Sequence, residues 1–131
     1  MITLDSNVFI YVLENNQEFG ERASLVLESA QDNGLASMFV YLELLSHSGL
    51  EKAENKELVL RFLDEQRLEF VELKRDILLK AAELRAQLTP KLGVGDALHL
   101  ATAIHAGAEE FVTNDQNLVK LKIKDLKITS L

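Results

Sequence analysis

Residues 109–118 read EEFVTNDQNL, in which the apolar pair at 111–112 is followed three residues later by Asp115. Residues 1–10 read MITLDSNVFI and repeat the arrangement, because Asp5 comes directly after the apolar Ile-Thr-Leu segment. Both apolar segments have the residue types and bounding turn residues of short buried strands. The sequence therefore predicts two strands that each end at an aspartate.

The apolar pattern along the whole chain predicts strands that alternate with helices. The predicted strands cover residues 2–5, 35–38, 68–72, 110–113 and 125–129. The predicted helices cover residues 7–14, 18–33 (with Gly34 as the C-cap), 39–49, 54–66, 74–88, 96–106 and, as a short helix or turn, 115–121. This alternation favours an α/β fold with a parallel sheet covered on both faces. Sites in such sheets form at the carboxyl ends of strands, so Asp5 and Asp115 are predicted to lie at the functional edge.

The length and composition limit which kinds of protein the sequence can encode. The chain has 131 residues, which predicts a single domain over residues 1–131. It contains no cysteine, which excludes disulfides and thiolate metal sites. The absence of a signal-peptide pattern and of a long apolar run predicts a cytoplasmic protein that does not bind membranes. The net charge of −7 disfavours passive, charge-driven binding to nucleic acid unless some carboxylates hold cations.

Two further acids have unusual settings. Glu43 interrupts the apolar segment FVYLELL, and Asp96 follows Gly-Val-Gly and opens a predicted helix. Taken singly, Asp96, Asp5 and Asp115 could be helix caps or turn residues, and Glu43 could reach solvent. Together, four carboxylates in an α/β domain predict a shared pocket that needs a cation. Oxygen ligands favour Mg²⁺ or Mn²⁺, and the matching chemistry is metal-assisted hydrolysis of a phosphodiester.

Polar neighbours of these acids are candidate supporting residues. Asn7 could orient Asp5 or cap the following helix, and Thr113 and Asn114 could position a water or a phosphate or make an ordinary turn. His47 falls one helical turn after Glu43 and could pair with it or lie on the surface. His99 follows Asp96 by three residues and is a candidate for orienting the acids.

These residues also carry a resemblance to a known family. The sequence resembles PIN domains, most closely the VapC-like endoribonuclease toxins of bacterial and archaeal toxin–antitoxin pairs. The resemblance spans the chain from LDSNVFIYVLE to GDALHLATAIHAGAEEFVTND. The family's acids match Asp5 in Asp-Ser-Asn, Glu43 in Glu-Leu, Asp96 before an Ala-rich helix, and Asp115 in Thr-x-Asp.

The resemblance implies a three-layer α/β/α sandwich around a mostly parallel sheet. It implies Mg²⁺ or Mn²⁺ held mainly by Asp5 and Asp96, with Glu43 and Asp115 completing the acidic pocket and with Thr113 and Asn7 in support. It also implies cleavage of RNA, commonly by a homodimer, and inhibition by a small antitoxin protein. Some members carry one more acid after the fourth, where this chain has Gln116 and Asn117. A second metal site would lack that ligand.

Other functions remain as alternatives. A PIN nuclease outside toxin–antitoxin pairs fits the same residues, and a non-catalytic PIN-like module that binds RNA or protein would not need all four acids. A signalling receiver domain would need an acidic pair at the first strand and an Asp after the third, but Ser6 and Asn7 follow Asp5 and LEFVEL has no Asp. A phosphatase with an Asp nucleophile would need Asp-x-Asp, which Asn7 interrupts. The basic segments VELKRDILLK and LKIKDLK are candidate RNA-binding surfaces or solvated faces.

Overall fold

A computed structural model describes residues 1–131 and has five strands that alternate with seven helices. The strands are β1 (Ile2–Leu4), β2 (Gly34–Ser37), β3 (Glu69–Val71), β4 (Glu110–Thr113) and β5 (Lys127–Ser130). The helices are α1 (Ser6–Leu13), α2 (Gly20–Ala30), α3 (Phe39–Ser46), α4 (Ala53–Asp64), α5 (Arg75–Gln87), α6 (Val94–His105) and α7 (Gln116–Val119). The predicted alternation of strands and helices is confirmed.

The strands form one all-parallel sheet in the order β3-β2-β1-β4-β5. The chain moves from the central β1 to β2 and β3 on one side, and β4 and β5 then add on the other side. The strand order therefore reverses between β1 and β4, where ligands bind in open α/β sheets. This order differs from the 2-1-3-4-5 order of flavodoxin-like receiver domains, which argues against the receiver alternative.

Two apolar cores cover the two faces of the sheet. Side chains alternate between the faces of a strand, so the neighbours Phe111 and Val112 enter different cores. Val112 packs with Leu4 and residues of α1 to α4, and Phe111 packs with residues of α5 and α6, including Leu100. The result is a helix layer, a sheet and a second helix layer, which is the three-layer α/β/α sandwich that the resemblance implied.

Some predicted helix boundaries are wrong. The helix expected over residues 18–33 ends at Ala30, and Gly34 begins β2 instead of capping that helix. A Cβ atom at Gly34 would lie 2.8 Å from the Cβ of Ala30, so glycine is required here by close packing. The helix expected to open at Asp96 begins at Val94. Asp96 therefore lies inside the first turn and is not the N-cap.

None of the helices combines the length and the apolar character needed to cross a lipid bilayer.

Candidate active site

The carboxylate of Asp5 is fixed at the point where β1 and β4 end. Asp5 is 4% exposed and is the N-cap of α1, where its Oδ1 accepts a hydrogen bond from the Ser6 backbone N–H at 2.7 Å. Its Oδ2 accepts from the Thr113 hydroxyl at 2.7 Å. The Asn7 side-chain amide lies 3.5 Å from the same oxygen and 3.4 Å from Thr113 Oγ1. These contacts connect the ends of two neighbouring strands and hold the carboxylate in one orientation.

The end of β4 places the Thr-Asn-Asp segment around this carboxylate. The Thr113 hydroxyl also accepts a hydrogen bond from the Asp115 backbone N–H at 3.0 Å. Asp115 is the N-cap of α7, and its Oδ1 accepts from the Asn117 N–H at 2.9 Å. Asn114 instead donates its side-chain N–H to the Tyr11 hydroxyl at 2.9 Å. Thr113 therefore links two of the candidate acids, and Asn114 joins β4 to α1.

A buried histidine connects Glu43 to Asp5. His99 lies on α6 and is 1% exposed. Its Nε2 is hydrogen-bonded to Glu43 Oε1 and lies 3.6 Å from Asp5 Oδ1, while its buried Nδ1 has no hydrogen-bond partner. Burial alone lowers the pKa of His99, but the hydrogen bond to Glu43 and the charges of Asp5, Glu43 and Asp96 raise it on balance. His99 thus lies between Glu43 and Asp5 and links α6 to both acids.

Gly95 lets Glu43 approach α6. A Cβ atom at Gly95 would lie 3.3 Å from Glu43 Oε2 and 3.2 Å from Phe39 Cε2. Both contacts are tighter than most Cβ atoms make, so a larger residue would require the Phe39 ring and the Glu43 carboxylate to shift by a few tenths of an ångström. The sequence reasoning did not assign this role to Gly95. A signal was present, because glycine inside a helix costs about 1 kcal/mol relative to alanine and its use there often marks a close approach.

Asp96 has a different environment from Asp5. It is half-buried, and no side-chain hydrogen bond contributes to its pKa. Burial, followed by the charges of Asp5 and Asp115 and more weakly of Glu43, raises the pKa of Asp96 to about 6, although His99 acts in the opposite direction. Asp96 and Asp115 also line one cleft of about 190 Å³. The other three candidate carboxylates therefore lie near enough to influence the charge of Asp96.

The structure confirms the surface position for His47 and not a pair with Glu43. His47 is the C-cap of α3 and has extended backbone angles, φ −70° and ψ 139°. The carboxylate of Glu43 is hydrogen-bonded to His99. His47 Nε2 instead lies 3.0 Å from Glu14 Oε1 at the surface.

The acidic cluster fits a hard divalent cation by donor type and charge. No group of three or more His, Asp or Glu side chains is already arranged to hold a metal ion. Mg²⁺ usually keeps several waters and takes only one or two carboxylates from the protein, so a pair such as Asp5 and Asp96 is sufficient. The raised pKa of Asp96 marks negative charge that the protein leaves uncompensated, and a cation would compensate it.

Comparison with known proteins agrees with this architecture. Residues 2–124 match the family model described as PIN domain. The fold is similar to VapBC2 from Rickettsia felis bound to a promoter DNA fragment, with 26% identity, 99% and 98% of the two chains covered and a TM-score of 0.73. It is also similar to a toxin–antitoxin complex from Klebsiella pneumoniae, with 20% identity, 96% and 95% covered and a TM-score of 0.76.

A third similar structure is VapC20 from Mycobacterium tuberculosis, described as a sarcin–ricin loop cleaving toxin. It has 12% identity, 93% and 97% of the two chains are covered, and the TM-score is 0.72. No curated protein sequence matches the chain.

Proposed function

Since the chain belongs to the PIN domain family, we propose that it is an Mg²⁺- or Mn²⁺-dependent endoribonuclease, a hydrolase of RNA phosphodiester bonds. We further propose that it is the toxin of a type II toxin–antitoxin pair and acts in the cytoplasm as a single domain over residues 1–131. The observation that carries the proposal is the raised pKa of Asp96, caused by its burial and by the other candidate acids around it. These acids gather at the reversal of strand order, where α/β sheets place their sites.

The proposed roles follow from the contacts of each residue. Asp5 and Asp96 hold the cation, with Asp5 fixed in advance by the hydroxyl of Thr113 and the backbone of Ser6. A bound divalent cation supplies charge stabilisation at the phosphate and a water that is more acidic than bulk water. Glu43 completes the pocket with its carboxylate restrained by His99.

On the β4 side, Asp115 keeps one carboxylate oxygen for its helix cap and completes the pocket with the other. Thr113 and Asn7 support the carboxylate of Asp5, and Asn114 supports the site by anchoring the end of β4 to Tyr11.

The proposed partners are RNA, a small antitoxin and a second copy of the chain. The similar structures from Rickettsia felis and Klebsiella pneumoniae are toxin–antitoxin complexes, which supports an antitoxin partner. The VapC20 description as a sarcin–ricin loop cleaving toxin supports RNA as substrate. The second copy of the chain follows from the family resemblance alone.

The test is the cleavage of RNA by wild type and by Asp96→Asn. Asparagine keeps the size of the side chain but loses the charge that holds the cation, so the cleavage rate should fall by about a thousandfold. A bound cation contributes several kcal/mol to such reactions, and about 1.4 kcal/mol corresponds to a factor of ten. The assay uses a panel of single-stranded and structured RNAs with Mg²⁺ or Mn²⁺, and circular dichroism verifies folding.

Asp76→Asn is the matched control. Asp76 lies in the first turn of α5, as Asp96 lies in the first turn of α6, but Asp76 is exposed and outside the acidic cluster. The Asp76→Asn protein should cleave RNA as fast as wild type. A folded Asp96→Asn protein that also cleaves at the wild-type rate would remove Asp96 from the proposed site. A wild-type protein that binds RNA without cleaving any of the panel would favour the non-catalytic alternative.

A further inference from the structure

The segment that follows Asp115 concentrates positive charge in an acidic chain. Residues 116–131 contain four lysines and one acid, Asp125, so their formal charge is +3, whereas the whole chain carries −7. All four lysine side chains are exposed, and none forms an ion pair with a carboxylate. The four lysines are Lys120, Lys122, Lys124 and Lys127. Their charge is available to an external partner.

Three of these lysines line one cleft. Lys122, Lys124 and Lys127 surround a cavity of about 490 Å³ whose apolar lining includes Ile123 and Ile128. This combination suits a single-stranded nucleic acid, because ammonium groups neutralise phosphates and apolar surface accommodates sugars and bases. No aromatic side chain lines the cleft. Binding there should therefore depend mainly on phosphate contacts and only weakly on base identity.

The lysine-lined cleft adjoins the acidic cleft. Leu121 contributes to the lining of both, and the acidic cleft holds Asp96 and Asp115 together with another lysine, Lys91. In the register of the parallel strands, Lys127 of β5 lies beside Glu110 at the beginning of β4. Asp115 follows the other end of β4. The lysine-lined cleft therefore extends from the edge that carries the candidate site toward the opposite edge of the sheet, over about 10 Å of strand length.

From these observations we propose that the cleft formed by residues 119–128 binds the phosphate backbone of single-stranded RNA on its way to or from the acidic site. The inference rests on the proposed function and adds the location of its substrate surface. It also accounts for the unfavourable net charge, because the chain binds RNA through one locally positive surface and not through its overall charge.

The experiment measures RNA binding by fluorescence anisotropy. The probe is a 5′-fluorescein-labelled, unstructured RNA of about 12 nucleotides. It is titrated with the full chain in chelator, and again with Mg²⁺ in an Asp96→Asn background, so that the RNA stays intact. The test variant is the triple substitution Lys122→Gln, Lys124→Gln, Lys127→Gln. We expect its Kd to be at least about tenfold weaker, and its slope of log Kd against log salt to fall by about 2, since each phosphate contact contributes about 0.7.

The matched control removes the same charge elsewhere. Lys52, Lys56 and Arg61 are exposed, only Arg61 is in an ion pair, with Glu57 of its own helix, and none of the three lines either cleft. The triple change of these residues to glutamine should leave Kd within about twofold of wild type and should keep the wild-type salt slope. Equal weakening by both triple variants would overturn the inference, because only net charge would then matter. Equal affinity of the cleft for polyglutamate would also overturn it, by assigning the cleft to acidic protein segments.

A second measurement separates this inference from the proposed function. Cleavage by the Lys122/Lys124/Lys127 variant should show a raised KM on long RNA and an unchanged kcat. If the wild type cleaves no RNA but the variant loses RNA binding, the result would support RNA binding by the cleft and contradict the proposed nuclease activity. If the variant cleaves RNA with the KM of wild type and binds RNA with the Kd of wild type, the result would contradict RNA binding by the cleft and would not affect the proposed nuclease activity.

Discussion

Asp5 and Asp96 lie in the same acidic cluster, but the fold treats them in opposite ways. Asp5 is almost fully buried, accepts hydrogen bonds from Ser6 and Thr113, and caps α1. Asp96 is half-buried, without a side-chain hydrogen bond that would favour its charge, and burial together with the acids around it raises its pKa to about 6. Asp5 is therefore held in place by hydrogen bonds within the fold, whereas the charge of Asp96 lowers the stability of the folded protein.

This difference indicates where stability and activity are coupled. A carboxylate whose hydrogen bonds are already made within the protein cannot be removed without a loss of stability. A carboxylate that the protein leaves unsatisfied can be neutralised with a gain in stability and a loss of function, as is common for active-site residues. Four measurements test this difference between Asp5 and Asp96.

The largest effect should come from the cation. At a concentration of about 100 times Kd, a ligand that binds only the folded state adds about 2.7 kcal/mol, which is a Tm rise of roughly 10 °C for a domain of this size. Wild type should show this rise with Mg²⁺ or Mn²⁺ in thermal melts, relative to chelator. Asp96→Asn should show little of it, while the Asp76→Asn control should respond as wild type does. Identical wild-type midpoints in millimolar metal and in chelator would argue strongly against a metal site.

Removal of the Asp5 carboxylate should destabilise the metal-free protein. Asp5→Ala removes the N-cap of α1, which costs about 1 kcal/mol, and leaves the buried Thr113 hydroxyl without its acceptor, which costs about 1–3 kcal/mol. Relief of repulsion at Asp96 offsets part of this loss. Urea denaturation should therefore give a free energy of unfolding that is about 2 kcal/mol lower than that of wild type. If the Asp5→Ala protein is as stable as the Asp96→Ala protein, the claim that Asp5 stabilises the fold more than Asp96 is wrong.

Thr113→Val tests the support of Asp5 separately from its charge. Valine keeps the shape but removes the donor to Asp5 and the acceptor for the Asp115 N–H. The unfolding free energy should fall by about 1–2 kcal/mol, and cleavage should slow by about 10- to 100-fold, as it does when a residue that orients a metal ligand is lost. Thr113→Ser keeps the hydroxyl and should remain near wild type in both measurements. Equal losses in the two variants would assign the effect to packing and not to the hydrogen bonds.

The smallest effect concerns the pH dependence of Asp96 without metal. Its folded pKa of about 6 is above the ordinary value of 3.8, so the fold favours the protonated form. The corresponding stability is complete below pH 3.8 and is lost as the pH rises through 6. Asp96→Asn should thus match wild type at pH 4 and exceed it at pH 7.5, by about 1 kcal/mol or less because Asp96 is partly solvated. Urea denaturation in chelator at both pH values measures this; an equal gain at both would exclude titration of Asp96 as the cause.

Local sequence patterns could predict a large part of this molecule. The strands that end at Asp5 and Asp115 were predicted from short apolar segments bounded by polar residues, and the parallel sheet from the alternation of strands and helices. The position of strand reversal was not predictable from these patterns, since it depends on which strands pair across the chain. The helix start at Val94 was missed because glycine and valine are weak helix formers, and their place in the first turn is decided by packing.

Contacts between distant segments were harder to predict than the segments themselves. The link from His99 to both Glu43 and Asp5 joins three elements, and only the spacing of His99 from Asp96 pointed toward the site. The close approach at Gly95 depends on the packing of α3 against α6. The position of His47 also depended on such a contact, because its imidazole bonds Glu14 at the end of α1 and not Glu43.

The hydrogen bond between Asp5 and Thr113 joins residues that are 108 positions apart, and this has a consequence for protein synthesis. Contacts of such long range form late, because a large loop must close before they contribute. A nascent chain has exposed Asp5 and Glu43 long before Thr113 and Asp115 have been translated. Prematurely terminated products that stop before β4 therefore cannot assemble the acidic cluster. The proposed RNA-cleaving activity therefore appears only after the chain has been translated as far as Asp115, which limits the interval during synthesis in which the proposed antitoxin would be needed.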